Sequence, residues 1–158
     1  MRFFNADADD QKVEVLRNIP IFHELTRKEM LEVDELLYER IYEKDEVVFE
    51  EGDAGHGVFI VVSGRLRVDP GHESLKKVLL DVGPGESVGE LALFDEGPRS
   101  ATVVAMERTV TVALFQAEFA TLLMKNKNIG VKVLLAIARI LSRRARQLMQ
   151  REKHIPSL

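Results

Sequence analysis

The run Gly83-Pro84-Gly85-Glu86-Ser87-Val88-Gly89-Glu90-Leu91-Ala92-Leu93-Phe94-Asp95-Glu96-Gly97-Pro98-Arg99-Ser100-Ala101-Thr102-Val103 sets Glu90 and Arg99 within a glycine-led, otherwise small and apolar lining. The Gly89-Glu90 step into Leu91-Ala92-Leu93 predicts a short helical turn. The first N–H groups of such a turn lack intrahelical partners and point at whatever lies ahead, ordinarily an anion. Arg99 offers a planar fork of donors to such an anion, and a charge-assisted hydrogen bond of this kind contributes about 1.5–3 kcal/mol net. Lysine would hold the same anion with less direction. Glu90 cannot serve the anion, because like charges repel, but a carboxylate accepts hydroxyl hydrogens well. A plain Glu90–Arg99 ion pair would favour tight packing around the charges, whereas Gly, Ala and Ser beside Pro98 leave room. The segment therefore reads as a site for a small anion that carries a diol. Gly83 and Gly85 read as ordinary turn punctuation.

Outward from this segment, the chain shortens into strand-like runs between Arg40 and Phe115. They include Glu46 to Glu50, Val58 to Val62, Leu66 to Val68, Lys77 to Val82, Thr102 to Ala105 and Val110 to Phe115, separated by glycine-bearing turns. Many short strands at such spacing predict a rolled or barrel-like antiparallel sheet, and strand counting does not choose between those closures. Before them, Thr26 and Glu29 form a capping box, with Leu25 and Met30 placed as a hydrophobic staple, and the helix they open is expected to run to about Tyr38. After them, Gln116 opens a short helix to Met124, residues 125–128 make a polar joint, and a long helix runs to about Arg151. Residues 1–12 are polar and acidic without a period and read as a loose lead-in. The folded domain is expected over 13–152 and a tail over 153–158.

Gly89-Glu90-Leu91-Ala92-Leu93 followed by Pro98-Arg99-Ser100-Ala101-Thr102-Val103 resembles the phosphate-binding cassette of the cyclic-nucleotide-binding domain family, which includes catabolite-activator-type regulators and kinase regulatory subunits. Glu51-Gly52-Asp53 and Phe59-Ile60-Val61-Val62-Ser63-Gly64 resemble that family's two tight corners, so the likeness covers roughly residues 15–150. The resemblance implies an α+β fold, a mainly antiparallel, jelly-roll-like β-roll with an N-terminal helix, a short cassette helix and a long C-terminal helix. It further implies that Glu90 accepts from a ribose 2′-hydroxyl and that Arg99 pairs with the cyclic phosphate. Ser100 would donate to the phosphate or the base, with Ala101 beside it in the lining. The amides of Leu91 and Ala92 would complete the anion cradle, and Val88, before Gly89, would form the apolar wall. The ligand implied is cyclic AMP, with cyclic GMP the alternative, and no cofactor.

Composition narrows the alternatives. A chain of 158 residues, 46% hydrophobic and 30% charged, suffices for one good core and not for two. The net charge of −4 argues against a general nucleic-acid binder. No cysteine is present, so disulfides and thiolate chemistry are excluded. No signal peptide is read at Met1 to Asp7, the longest apolar stretch, around Val131 to Leu141, is broken by Lys132 and Arg139, and a cytoplasmic location is the expectation. His23, His56, His72 and His154 are scattered without metal-ligand spacing. Asp95 and Glu96 are sequence neighbours on a loop, and Gly83-x-Gly85 lacks the further glycines of a dinucleotide loop, so an enzyme is not expected. A phosphodiesterase is the enzymatic rival. A helix-turn-helix module does not fit before Leu158, so direct operator binding is not expected.

The long helix carries two apolar rows. Val131, Leu134, Ala138, Leu141, Ala145 and Leu148 recur at alternating three- and four-residue steps, the seam of a two-stranded coiled coil, and Val133, Ile137 and Ile140 lie beside them. One row is expected on the roll and the other on a second copy, giving a homodimer. The basic residues near its end read as a solvated face, with Arg144 singled out as an arginine able to reach over the pocket to a purine. This departs from the catabolite-activator pattern, in which small polar groups meet the base. The function expected is a cyclic-nucleotide sensor signalling through this helix to an unknown downstream protein. The competing reading is a degenerate, ligand-free dimerisation or docking scaffold, or a fragment of a transcription regulator.

Overall fold

Strand β3, Gly57–Ser63, is apolar at almost every position because both of its faces are covered, and β8, Thr109–Phe115, is buried over most of its length although it carries Thr109 and Thr111. The two strands pair antiparallel, Ile60 opposite Val112 and Val58 opposite Leu114. Successive side chains alternate between faces. Val58, Ile60, Val112 and Leu114 enter a core shared with the helices, while Phe59, Val61 and Ala113 face the interior of the roll. The computed structural model describes residues 6–71 and 80–153. Strands β1 (Tyr38–Tyr42) and β6 (Ser87–Val88) flank this pair in a sheet of order β1-β8-β3-β6. The second sheet has the order β2-β7-β4-β5, built from β2 (Val47–Phe49), β4 (Leu66–Asp69), β5 (Leu80–Val82) and β7 (Thr102–Ala105). Every pairing is antiparallel, and the architecture is the expected α+β roll. The strand expected from Lys77 is observed from Leu80, and residues 77–79 lie outside the described residues.

Helices α1 (Ala6–Arg17), α2 (Arg27–Asp34), α3 (Gln116–Lys125) and α4 (Lys127–Lys153) cover the outer face of the β3–β8 pair. The lead-in expected to be loose is helical from Ala6. Val13 and Leu16 sink into the helical core, and the Lys12 ammonium is held by Asp34, at 2.7 Å, and by Glu39. Burial opposes the charge on Lys12, but the hydrogen bonds and charges of the two carboxylates outweigh it and raise its pKa. Thr26 and Glu29 form the capping box, and Leu25 and Met30 are both buried beneath it. The helix they start ends at Asp34 rather than Tyr38, because Tyr38 is taken into β1 opposite Ala113.

The polar joint before the long helix shrinks to one residue. Asn126 alone is non-helical, its side chain donating to Glu32 at 3.1 Å and accepting from the Ile129 amide at 3.4 Å. On α4, Val133 and Ile137 are fully buried against α1, α2, α3 and the roll, with Ile140 partly so. The other row stays open in the single chain: Val131, Ala138, Ala145 and Leu148 are exposed, and Leu134 and Leu141 are partly buried. No helix among the described residues is long and apolar enough to cross a membrane.

Candidate functional site

Every residue expected at the site, Val88 to Ala92, Arg99 to Ala101 and Arg144, lines one cavity of about 460 Å³. Its floor is set by β6, whose Val88 pairs with Phe59 and is buried, and by the turn that follows. Gly89 takes φ of +80°, a left-handed value that favours glycine, and Glu90–Leu93 form a single 3₁₀ turn. This turn buries Glu90 and leaves Leu91 exposed at the rim. The Ala92 amide, expected at the anion, donates to the Gly89 carbonyl at 3.2 Å.

Arg99 is held by its backbone. Its N–H donates to the Asp53 carbonyl and its carbonyl accepts from Gly52, both at 2.8 Å, so the first tight corner clamps the arginine to the opposite lip. Its guanidinium lies 4.1 Å from the Phe49 ring centroid and 5.8 Å from that of Phe59. Nη1 makes one long hydrogen bond to the Gly89 carbonyl, 3.4 Å, and Nε is buried without a partner among the described residues. Burial draws the Arg99 pKa down, with the charge of Asp53 acting in the opposite sense. A buried, permanently cationic fork without a carboxylate is costly unless an anion joins it. Two glycines make the space: a Cβ on Gly89 would sit 2.3 Å from Nη1, and one on Gly55 would sit 2.7 Å from Nε.

Glu90 does not pair with Arg99. Its Oε1 accepts from the Ser87 hydroxyl at 2.5 Å and from Arg144 Nη1 at 2.6 Å, while Arg144 Nη2 donates to the Ser87 carbonyl at 2.7 Å. Arg144 therefore crosses the cavity as expected, but its guanidinium rests on the acid rather than over an open base position. The acid and the arginine of the motif are thus held apart across an open space, the arrangement that a hydroxyl-bearing anion requires. Sequence reasoning missed Phe49 and Ser87. Phe49 shows only as one apolar residue of a three-residue strand, and Ser87 only as a small polar residue ahead of Val88. His23 and His56 are exposed, and His72 and His154 lie outside the described residues. Among the described residues no group of three potential metal ligands occurs.

The roll holds a separated acid and arginine at one lip, and comparison with known proteins gives its family. Residues 39–126 match the family described as Cyclic nucleotide-binding domain, and the chain belongs to it. It is 32% identical to the Cyclic AMP receptor protein of Thermus thermophilus over 133 residues, covering 84% of this chain and 60% of that protein. This chain thus spans about three fifths of that curated relative's length. The N-terminal domain of a transcriptional regulator from Streptomyces coelicolor matches with a TM-score of 0.72 and 31% identity, over 85% of this chain and 94% of that one. A cyclic nucleotide-binding domain from Methylobacillus flagellatus reaches a TM-score of 0.83 over 100% of this chain and 91% of that one, at 24% identity, which bears on the fold alone.

Proposed function

We propose that this chain binds a cyclic purine nucleotide, cyclic AMP above all, and passes its occupancy to a partner protein through α4. The observation that carries the reading is the Arg99 guanidinium, buried against Phe49 with no salt bridge among the described residues, across the cavity from a Glu90 engaged elsewhere. The phosphate completes the arginine, and a ribose hydroxyl donates to Glu90, both of whose described side-chain bonds fall on Oε1. Cyclic AMP is favoured by the name of the Thermus relative. The domain acts as a regulator rather than a catalyst, in the cytoplasm. The open row of Val131, Ala138 and Ala145 on α4 supports a homodimer in which two copies of this helix meet.

Signal transfer follows from the contacts. A ligand biases a two-state element only by binding one state better. Glu90, reached by the nucleotide on one side and by Arg144 on the other, ties the ligand to α4, and Asn126 is the hinge on which the helix moves. Calorimetric titration with cyclic AMP and cyclic GMP tests this: saturable binding in the micromolar range is expected. Arg99→Ala weakens it at least about tenfold, the equivalent of one lost charge-assisted bond. Absence of heat and of a thermal shift at millimolar concentrations of both nucleotides overturns the reading. It would favour instead the ligand-free scaffold, for which Arg144 already occupying Glu90 is the supporting contact.

A further inference from the structure

The inference here rests on the cyclic-nucleotide reading and concerns how this chain distinguishes one purine from another. The Arg144 guanidinium is taken up by Glu90 and the Ser87 carbonyl, which leaves the residues further along α4 as its open-ended polar groups facing the cavity. Gln147 and Arg151 line the same cavity one and two helical turns beyond Arg144. At a rise of about 1.5 Å per residue their backbones stand roughly 4.5 and 10 Å further along the axis, and long side chains folding back from there can reach the far edge of a purine. The side chains of both are exposed, and neither has a hydrogen bond or ion pair among the described residues. Across the cavity the wall is apolar, formed by Phe49, Val68, Val82 and Val103, and suits the faces of a ring rather than its edge.

The two purines differ most at position 6, where adenine carries an amino donor and guanine a carbonyl acceptor. A glutamine amide has a donor and an acceptor and matches either. A guanidinium has donors only, so it bonds O6 and N7 of guanine and meets the adenine amino group donor to donor. Asp81, the acidic group on the facing strand, accepts only, and each purine has an amino group to give it. Arg151 is therefore the group in this lining that separates the two bases at position 6.

We infer that Gln147 and Arg151 form the base-reading pair, and that Arg151 raises affinity for 6-oxo purine cyclic nucleotides relative to cyclic AMP. Gln147 supplies binding to either base. The test measures dissociation constants of the wild-type chain, Arg151→Ala, Gln147→Ala and Arg146→Ala for cyclic AMP, cyclic GMP and cyclic IMP. Arg146 is exposed and outside the cavity lining, so its removal changes net charge by the same amount. Arg151→Ala is expected to shift the cyclic GMP to cyclic AMP preference toward cyclic AMP by about fivefold or more, the discrimination of one good base contact. Arg146→Ala leaves that preference in place, Gln147→Ala weakens both nucleotides alike, and cyclic IMP follows cyclic GMP. An unmoved preference in Arg151→Ala, an equal shift in Arg146→Ala, or cyclic IMP behaving as cyclic AMP overturns the inference. The last outcome would assign discrimination to the 2-amino group and to Ser100. Binding by the wild type with an unmoved preference removes this inference alone, whereas failure of the wild type to bind any of the three removes the parent reading with it.

Discussion

Gly89 and Arg99 are made for each other: the left-handed backbone of the first and the missing Cβ leave the gap that Nη1 of the second occupies. Gly89→Ala must therefore strain its own backbone and displace the guanidinium at once. It is expected to lower cyclic-nucleotide affinity by about tenfold or more, since 1.4 kcal/mol suffices for that. Circular dichroism should show the fold retained, and calorimetry the loss. Glu90→Gln should cost less than Arg99→Ala, because an amide oxygen still accepts a hydroxyl hydrogen while the second change removes the guanidinium proposed to hold the phosphate. Titration of both variants checks the order. Glu90 and Arg99 were legible in the sequence because charged residues surrounded by Gly, Ala and Ser imply a cavity. The supports were not: Phe49 reaches Arg99 only through the pairing of β2 with β7, and Ser87 reaches Arg144 only once α4 has docked.

Among the helices, α2 owes its start to a capping box and its seat to buried Met30 and Val33, with ion pairs from Asp34 and Glu29 beside them. Thr26 accepts from the Glu29 amide and Glu29 returns the bond to the Thr26 amide, so Thr26→Ala is expected to cost about 1 kcal/mol in urea denaturation. Glu29 also bonds Lys132 of α4 at 2.8 Å. That bond first, and the Thr26 amide second, hold its carboxyl below its usual value of 4.5. A depressed carboxylate stabilises the fold above its unfolded pKa and loses that contribution as pH falls through the folded one. The melting-temperature advantage of wild type over Glu29→Gln should be full at neutral pH, begin to fall near 4.5 and disappear only once the pH has passed below the depressed folded value. The capping box was plain in the sequence because its signal is four residues long. The end of α2 was not, since Tyr38 is claimed by a strand partner far along the chain, Ala113. Nor was the order in residues 6–12, which depends on Lys12 finding Asp34 and Glu39.

For the molecule entire, the alternation of β3 between two cores was readable as a continuous apolar run, but which core each side chain joins required the helices to be in place. The two rows on α4 were equally readable, and one of them is indeed buried in the chain itself. If the other meets a second copy, Val131→Glu should leave the domain folded, since Val131 is 48% exposed, and convert a dimer to a monomer in sedimentation velocity. An unchanged mass would place the contact elsewhere. Under the proposed function, the one-residue break at Asn126 would make α4 a lever. Its 27 residues extend about 40 Å from that fulcrum, so a tilt of roughly 10° that is imperceptible at Ile129 carries the far end some 6 or 7 Å. Under the proposed signalling, Arg144 stands about 27 Å from that fulcrum, so a change at the cavity would act on the helix near its moving end.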